Sequence, residues 1–185
     1  GGLREGKGAS FEGGQREPCI MRWPGQIQAG IICNKLAATI DILPTLAAIT
    51  NSPLPEKKID GVNILPLLMG DETANPRETL LYYYRKNSLE AVRKGDWKLV
   101  FAHPGRTYIG FKPGVDGFPG GTNENFPHEE GLYDLRRDPG ERFDVKEYYP
   151  EVVAELKKLA DTAREDLGDD IQKAEGKNRR EPGRV

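Results

Sequence analysis

The sequence predicts an α+β chain, and three observations carry that prediction. Residues 80–102 form short apolar runs around a tight turn, residues 150–167 carry an amphipathic helical repeat, and Gly and Pro are dense elsewhere. The 22 Gly and 14 Pro make up about a fifth of the 185 residues, against roughly 12% in average usage, so long loops separate the folded segments. A chain of this length fits one domain with a modest core or a piece of something larger.

Taken in order, the chain opens on "LREGKGASFEGGQREP", in which Lys7 lies between Gly6 and Gly8 and shortly before Gly13 and Gly14. Glycine allows positive φ and lets another group approach the backbone, so such a loop has something pressed against it. "PCIMRWPG", bounded by Pro18 and the Pro24-Gly25 turn, reads as a buried strand, and "KLAATI" as a second short one. "DILPTLAAITN" then changes period. Asp41 stands at an N-cap position, Pro44 falls in the first turn where its missing N–H costs nothing, and Leu43, Leu46, Ala47 and Ile49 supply an apolar face. A helix is expected from about 42 to 50, ended by "NSPLP". "DGVNILPLLMG" reads as a turn and a short segment closed by Gly70.

"LLYYYR" and "EAVRKGDWKLVFA" read as an antiparallel meander with "KGD" as the turn. Residues 103–131 show no period and read as a long loop, of the kind that is functional or disordered in compact domains. "LYDLRRDPGE" returns as a strand and turn. In "PEVVAELKKLADTAREDLG", Pro150 sits in the first turn, Val153, Leu156, Leu159, Ala160, Ala163 and Leu167 recur at three and four, and Gly168 closes the helix. A frayed tail is expected from about 170.

Lys plus Arg total 27 against 29 Asp plus Glu, a net charge of −2 that offers no field for nucleic acid. No apolar run approaches the ~20 residues that span a bilayer, so no membrane partner is expected. Cys19 and Cys33 lack the neighbours a zinc site needs and read as buried free thiols, with a single disulfide as the alternative.

Chemistry has few places to reside. His103 and His128 are isolated from any nucleophile in sequence; His128 reads as a surface loop residue, whereas His103 ends a strand and could face a cleft. Asp134, Asp138 and Glu141 have turn spacing rather than that of a calcium loop. The glycines around Lys7 do not satisfy G-x-x-x-x-G-K-[ST], because Gly8 follows the lysine. An ammonium in a glycine loop suits a fixed anion such as phosphate, sulfate or carboxylate, and can neutralise charge developing on a leaving oxygen. The other reading of Lys7 is a solvent-facing lysine in a terminal loop.

At these residues the sequence resembles the sulfatase family, in particular the C-terminal part of arylsulfatase A-like and N-acetylgalactosamine-6-sulfatase-like enzymes. The resemblance runs through "LREGKGASFEGGQREPCIMRWPG", "ATIDILPTLAAIT", "DGVNILPLLMG", "VRKGDWKLV" and "LYDLRRDPGE", over about residues 3–167. It implies an α/β, alkaline-phosphatase-like sulfatase fragment: the end of the large sheet in residues 1–70, a C-terminal subdomain with a four-stranded antiparallel sheet and one long helix in 71–170, and a flexible tail in 171–185. It implies that Lys7 contacts the sulfate and helps the ester oxygen leave, and that His103 and Arg106 in "AHPGRT" bind substrate, with Tyr108 as another candidate for that place.

The family's nucleophile is a formylglycine made from C/S-x-P-x-R beside a calcium ion held by Asp and Asn. Neither Cys19, Cys33 nor Ser52 stands in that motif, and the resemblance places the calcium ligands before Gly1. The expected partners are therefore a sulfate ester, most simply a sulfated glycan, and an N-terminal part bearing formylglycine and calcium, without which this fragment is inactive. A periplasmic, secreted or lysosomal location is a further family-level implication. Cut in this way, the first segment would leave apolar sheet surface without partner strands. A non-catalytic anion- or glycan-binding module with the same fold is the competing reading, and a phosphoesterase relative is a third.

Overall fold

The computed structural model of the protein describes residues 2–118 and 120–180. The chain divides into two compact units, one made of Gly1–Glu17 with Leu80–Val185 and the other of Pro18–Thr79. In this division the glycine loop belongs with the C-terminal sheet.

The first unit is built on a four-stranded sheet in the order β1 (Thr79–Tyr84), β2 (Ser88–Lys94), β3 (Trp97–Val100), β6 (Gly131–Asp134). The "KGD" turn is present, with Gly95 at φ 56°, and β3 runs antiparallel to both β2 and β6. One row of the register aligns Val92, Leu99 and Leu132, and the next aligns Arg93, Lys98 and Tyr133. Because successive strand residues face opposite ways, these rows belong to opposite faces.

A one-turn helix α1 (Glu12–Gln15) ends the glycine loop, and helix α4 (Pro150–Leu167) covers the apolar face. Leu156, Ala160 and Ala163 bury against Leu89, Val92, Leu99, Phe101 and Leu132. Gly168 at φ 84° ends the helix as the sequence predicts. The chain does not fray there: β7 (Gly168–Asp169) pairs with β8 (Ala174–Glu175). The amides of Lys177 and Asn178 then donate to the carbonyls of Glu165 and Asp166 at 2.9 and 2.8 Å. Last-turn carbonyls have no helical partner, and these residues satisfy two of them. Residues 181–185 of the expected tail lie outside the described residues.

Residues 103–131 are also more ordered than their composition suggests, since β4 (His103–Thr107) and β5 (Asn123–His128) pair antiparallel. Pro104 stands opposite Pro127, and these prolines with Gly105 hide the strand pattern. His128, expected on a surface loop, is buried.

In the second unit α2 (Ile42–Thr50) forms where its sequence places it, and Asn51 closes it at φ 51°. A short α3 (Leu65–Leu68) follows, ended by Gly70 at φ 83°. Asp41 does not cap α2 with its side chain. Its carboxylate instead accepts from the amides of Ala38 and Val62, each at 2.8 Å, and from the Arg77 guanidinium. Burial alone would raise its pKa, but these bonds outweigh it and hold Asp41 below its ordinary value.

The two strands expected at 18–24 and 35–40 do not form. A strand needs ladder partners for its backbone, and among the described residues none lies alongside. Ile20 is 95% exposed, and Cys19 and Cys33 are free and exposed rather than buried or paired. On α2 it is Pro44, Thr45 and Ala47 that turn inward, while Leu43 and Leu46 face out.

Candidate functional site

The glycine loop meets the β4–β5 ribbon. The Lys7 carbonyl accepts from Arg106 Nη1 at 2.9 Å and from the Tyr108 hydroxyl at 2.6 Å. Glu5 accepts from Thr107 Oγ1 at 2.7 Å and from the Tyr108 amide at 2.8 Å. The glycines are explained by these neighbours. A Cβ on Gly8, which sits at φ 99°, would overlap the Arg106 guanidinium, and one on Gly6 would lie 3.1 Å from the Tyr108 ring. Arg106 is held in turn by Glu124 at 2.8 Å, a bond that raises the Arg106 pKa and lowers that of Glu124. Lys7 is exposed, and among the described residues its ammonium has no hydrogen-bonding or ion-pair partner.

Lys7 and Arg106 are thus brought together, through the Lys7 backbone. His103 is placed differently. It is 4% exposed, with Nδ1 at 2.7 Å from the Phe101 carbonyl and Nε2 at 3.1 Å from Glu90 Oε2. A carbonyl only accepts, so Nδ1 bears hydrogen, while Nε2 faces the Glu90 carboxylate. Ser10 donates to the same Glu90 oxygen at 2.5 Å. Both ring nitrogens of His103 are therefore engaged by groups of the chain itself, and the ring is buried rather than exposed at a surface. The His128 ring lies beside it, centroids 5.2 Å apart, with Nε2 at 3.1 Å from the Arg106 carbonyl. Burial depresses the His128 pKa, partly countered by the bond to the Arg106 carbonyl.

The rest of the loop is anchored by charge. Lys98, fully buried, reaches Glu12 Oε1 at 3.1 Å and Glu141 Oε1 at 2.8 Å, and lies 4.3 Å from the Tyr82 ring centroid. The Glu12 amide donates to Glu141 Oε2 at 2.6 Å. Arg4 donates to the Tyr133 hydroxyl at 2.9 Å and to the Glu141 carbonyl at 3.2 Å, with its guanidinium carbon 3.8 Å from the Phe11 ring centroid. Burial pushes the Glu141 pKa up, partly countered by Lys98. Asp134 and Asp138 accept the turn amides that follow them, as turn residues do.

Reading the sequence missed Glu12, Glu90 and Lys98, and took Glu141 for an ordinary turn residue. The available signal was a charged residue inside an otherwise apolar strand, Glu90 in "SLEAV" and Lys98 in "WKLV". Nothing comparable marked Glu12. Calcium and formylglycine do not fit this chain. Among the described residues no group of three or more His, Cys, Asp or Glu could hold a metal ion, and neither cysteine stands in C-x-P-x-R. Among the described residues no helix is long and apolar enough to cross a membrane.

Known proteins share this arrangement of sequence and fold. Residues 75–182 match the family described as the C-terminal region of aryl-sulfatase, and residues 6–101 match the C-terminal region of N-sulphoglucosamine sulphohydrolase. Arylsulfatase A of Bos taurus is 39% identical over 166 residues, covering 85% of this chain and 32% of the relative. N-acetylgalactosamine-6-sulfatase of Sus scrofa is 35% identical over 164 residues, covering 83% and 31%. A structure solved in work on the metabolism of multiple glycosaminoglycans by Bacteroides thetaiotaomicron aligns with a TM-score of 0.64 at 32% identity, over 88% of this chain and 32% of that one. The PsFucS1 sulfatase from Pseudoalteromonas sp. shares the fold, with a TM-score of 0.67 at 24% identity over 87% and 32% of the two chains. The chain spans about a third of the length of these relatives. Its matched C-terminal region, four-stranded sheet and long helix make it a member of the sulfatase family.

Proposed function

We propose that this chain is the C-terminal part of a sulfuric ester hydrolase and supplies the lysine, Lys7, that contacts the sulfate. The observation that carries the reading is an exposed ammonium, without a partner among the described residues, on a loop whose backbone is fixed by Arg106, Tyr108 and Glu5. A preorganised cation aimed where negative charge develops lowers the barrier without reorganising as the ester oxygen leaves. Lys7 binds the anion and stabilises that oxygen. The bond-breaking chemistry is assigned to another part of the full-length protein: neither cysteine stands in the nucleophile motif, and among the described residues no group of His, Cys, Asp or Glu could hold the metal.

Exposed apolar residues of the second unit, Ile20, Ile32, Leu43 and Leu46 among them, support a covering partner of this kind. The substrate class that the relatives favour is a sulfated glycan, since one is an N-acetylgalactosamine-6-sulfatase and another belongs to glycosaminoglycan metabolism. The test is turnover of an aryl sulfate and the matching aryl phosphate by the full-length protein. The reading predicts hydrolysis of the sulfate, competitively inhibited by inorganic sulfate. Turnover of the phosphate alone would replace it with a phosphoesterase, and turnover of neither with a binding module.

A further inference from the structure

We propose that Arg106 and Tyr108 are positioning residues for Lys7, fixing its main chain and through it the ammonium instead of touching the ligand. The proposal rests on Lys7 being the anion contact. It replaces the expectation that Arg106 binds substrate directly. Two donors about a hundred residues away in sequence converge on one carbonyl, at 2.9 and 2.6 Å, and so fill both of its lone pairs. Glu5, two residues earlier, takes the reciprocal bonds from Thr107 and Tyr108 at 2.7 and 2.8 Å.

Glu5 and Gly8, on either side of Lys7, both stand at positive φ, 61° and 99°. A non-glycine residue in that region persists only where its surroundings over-determine it. Here Glu5 is held by its carboxylate bonds to the ribbon. Arg106 has Nε committed to Glu124 and Nη1 to Lys7. Arg106 Nη1 and the Tyr108 hydroxyl are thus spent on the loop backbone, and among the described residues the Lys7 ammonium has no partner, which is what a rigid presenter of one charge requires.

The experiment is a double-mutant cycle in the full-length enzyme, using an aryl sulfate and reading kcat/KM with the melting temperature. Tyr108→Phe keeps the ring against Gly6 and removes only the hydroxyl, and Arg106→Gln tests the second donor independently. Each is expected to lower kcat/KM about tenfold, the effect of one lost hydrogen bond to a positioned group. In the Lys7→Ala background the same changes should cost nothing further, because they act through a side chain that is no longer there. The proposal is overturned if Lys7→Ala is severe while both variants turn over like wild type, or if the losses multiply in the double variants. A neutral Lys7→Ala would instead overturn the reading of Lys7 itself, and it shows in the single variant.

Discussion

The α4 face of the sheet and the face under the glycine loop are both buried, yet they are built in opposite ways. On the α4 face Val92, Leu99 and Leu132 line up across three strands and take Leu156, Ala160 and Ala163 from the helix. One register row away, Arg93, Lys98 and Tyr133 line up on the other face, with Glu12, Glu141 and Arg4 set against them. The apolar face needs volume and a repeat, and its burial is of the kind that drives folding. A buried ion network adds little net stability but is costly to break, because each lost partner strands a charge. Its physical effect is to fix one placement for residues 4–12, and so for the loop that carries Lys7.

The largest effect should come from breaking the charged face. Lys98→Met strands Glu12 and Glu141 and is expected to cost on the order of 3–5 kcal/mol in chemical denaturation. Leu156→Ala on the α4 face should cost about 2–5 kcal/mol. The two differ in where they loosen the protein. Hydrogen exchange at the Gly13 amide, which donates to the Arg4 carbonyl at 2.8 Å, should accelerate in Lys98→Met well beyond its share of the stability loss. In Leu156→Ala it should follow global stability alone, and equal behaviour in the two variants would erase the distinction between the faces.

A smaller effect sharpens the comparison through pH. Glu141 is raised above its ordinary 4.5 by burial, so the folded state holds its proton more tightly than the unfolded chain does. That contribution is present below 4.5 and is lost as pH rises through the raised value. Glu141→Gln should therefore flatten the decline of melting temperature with pH above 4.5. A parallel offset with no change of slope would contradict the raised carboxyl.

The sequence made the α4 face legible and left the other almost unreadable. The three-and-four repeat from Val153 to Leu167 gave the helix with both its ends, and "KGD" between apolar runs gave the hairpin. Those signals are local, and local pattern is what a sequence displays. Lys98 meets Glu12 and Glu141 across 86 and 43 positions, a pairing that only the fold creates. Lys7 was visible because its glycines are local too, whereas the groups pressed on them, Arg106 and Tyr108, lay in a segment whose prolines concealed a ribbon. The strand expected at 18–24 failed for the complementary reason: its apolar run asks for neighbours that the described residues do not provide.

The most direct test of the account measures rate and melting temperature together on Lys7→Ala in the full-length enzyme. Lys7 is exposed and has no partner among the described residues, so its loss should change stability by no more than about 0.5 kcal/mol. Aryl sulfate turnover should fall by at least about a hundredfold, the usual effect of removing one preorganised charge stabiliser. An unchanged rate, or a rate that falls only in step with the melting temperature, would contradict the claim that this loop is built to present a single charge.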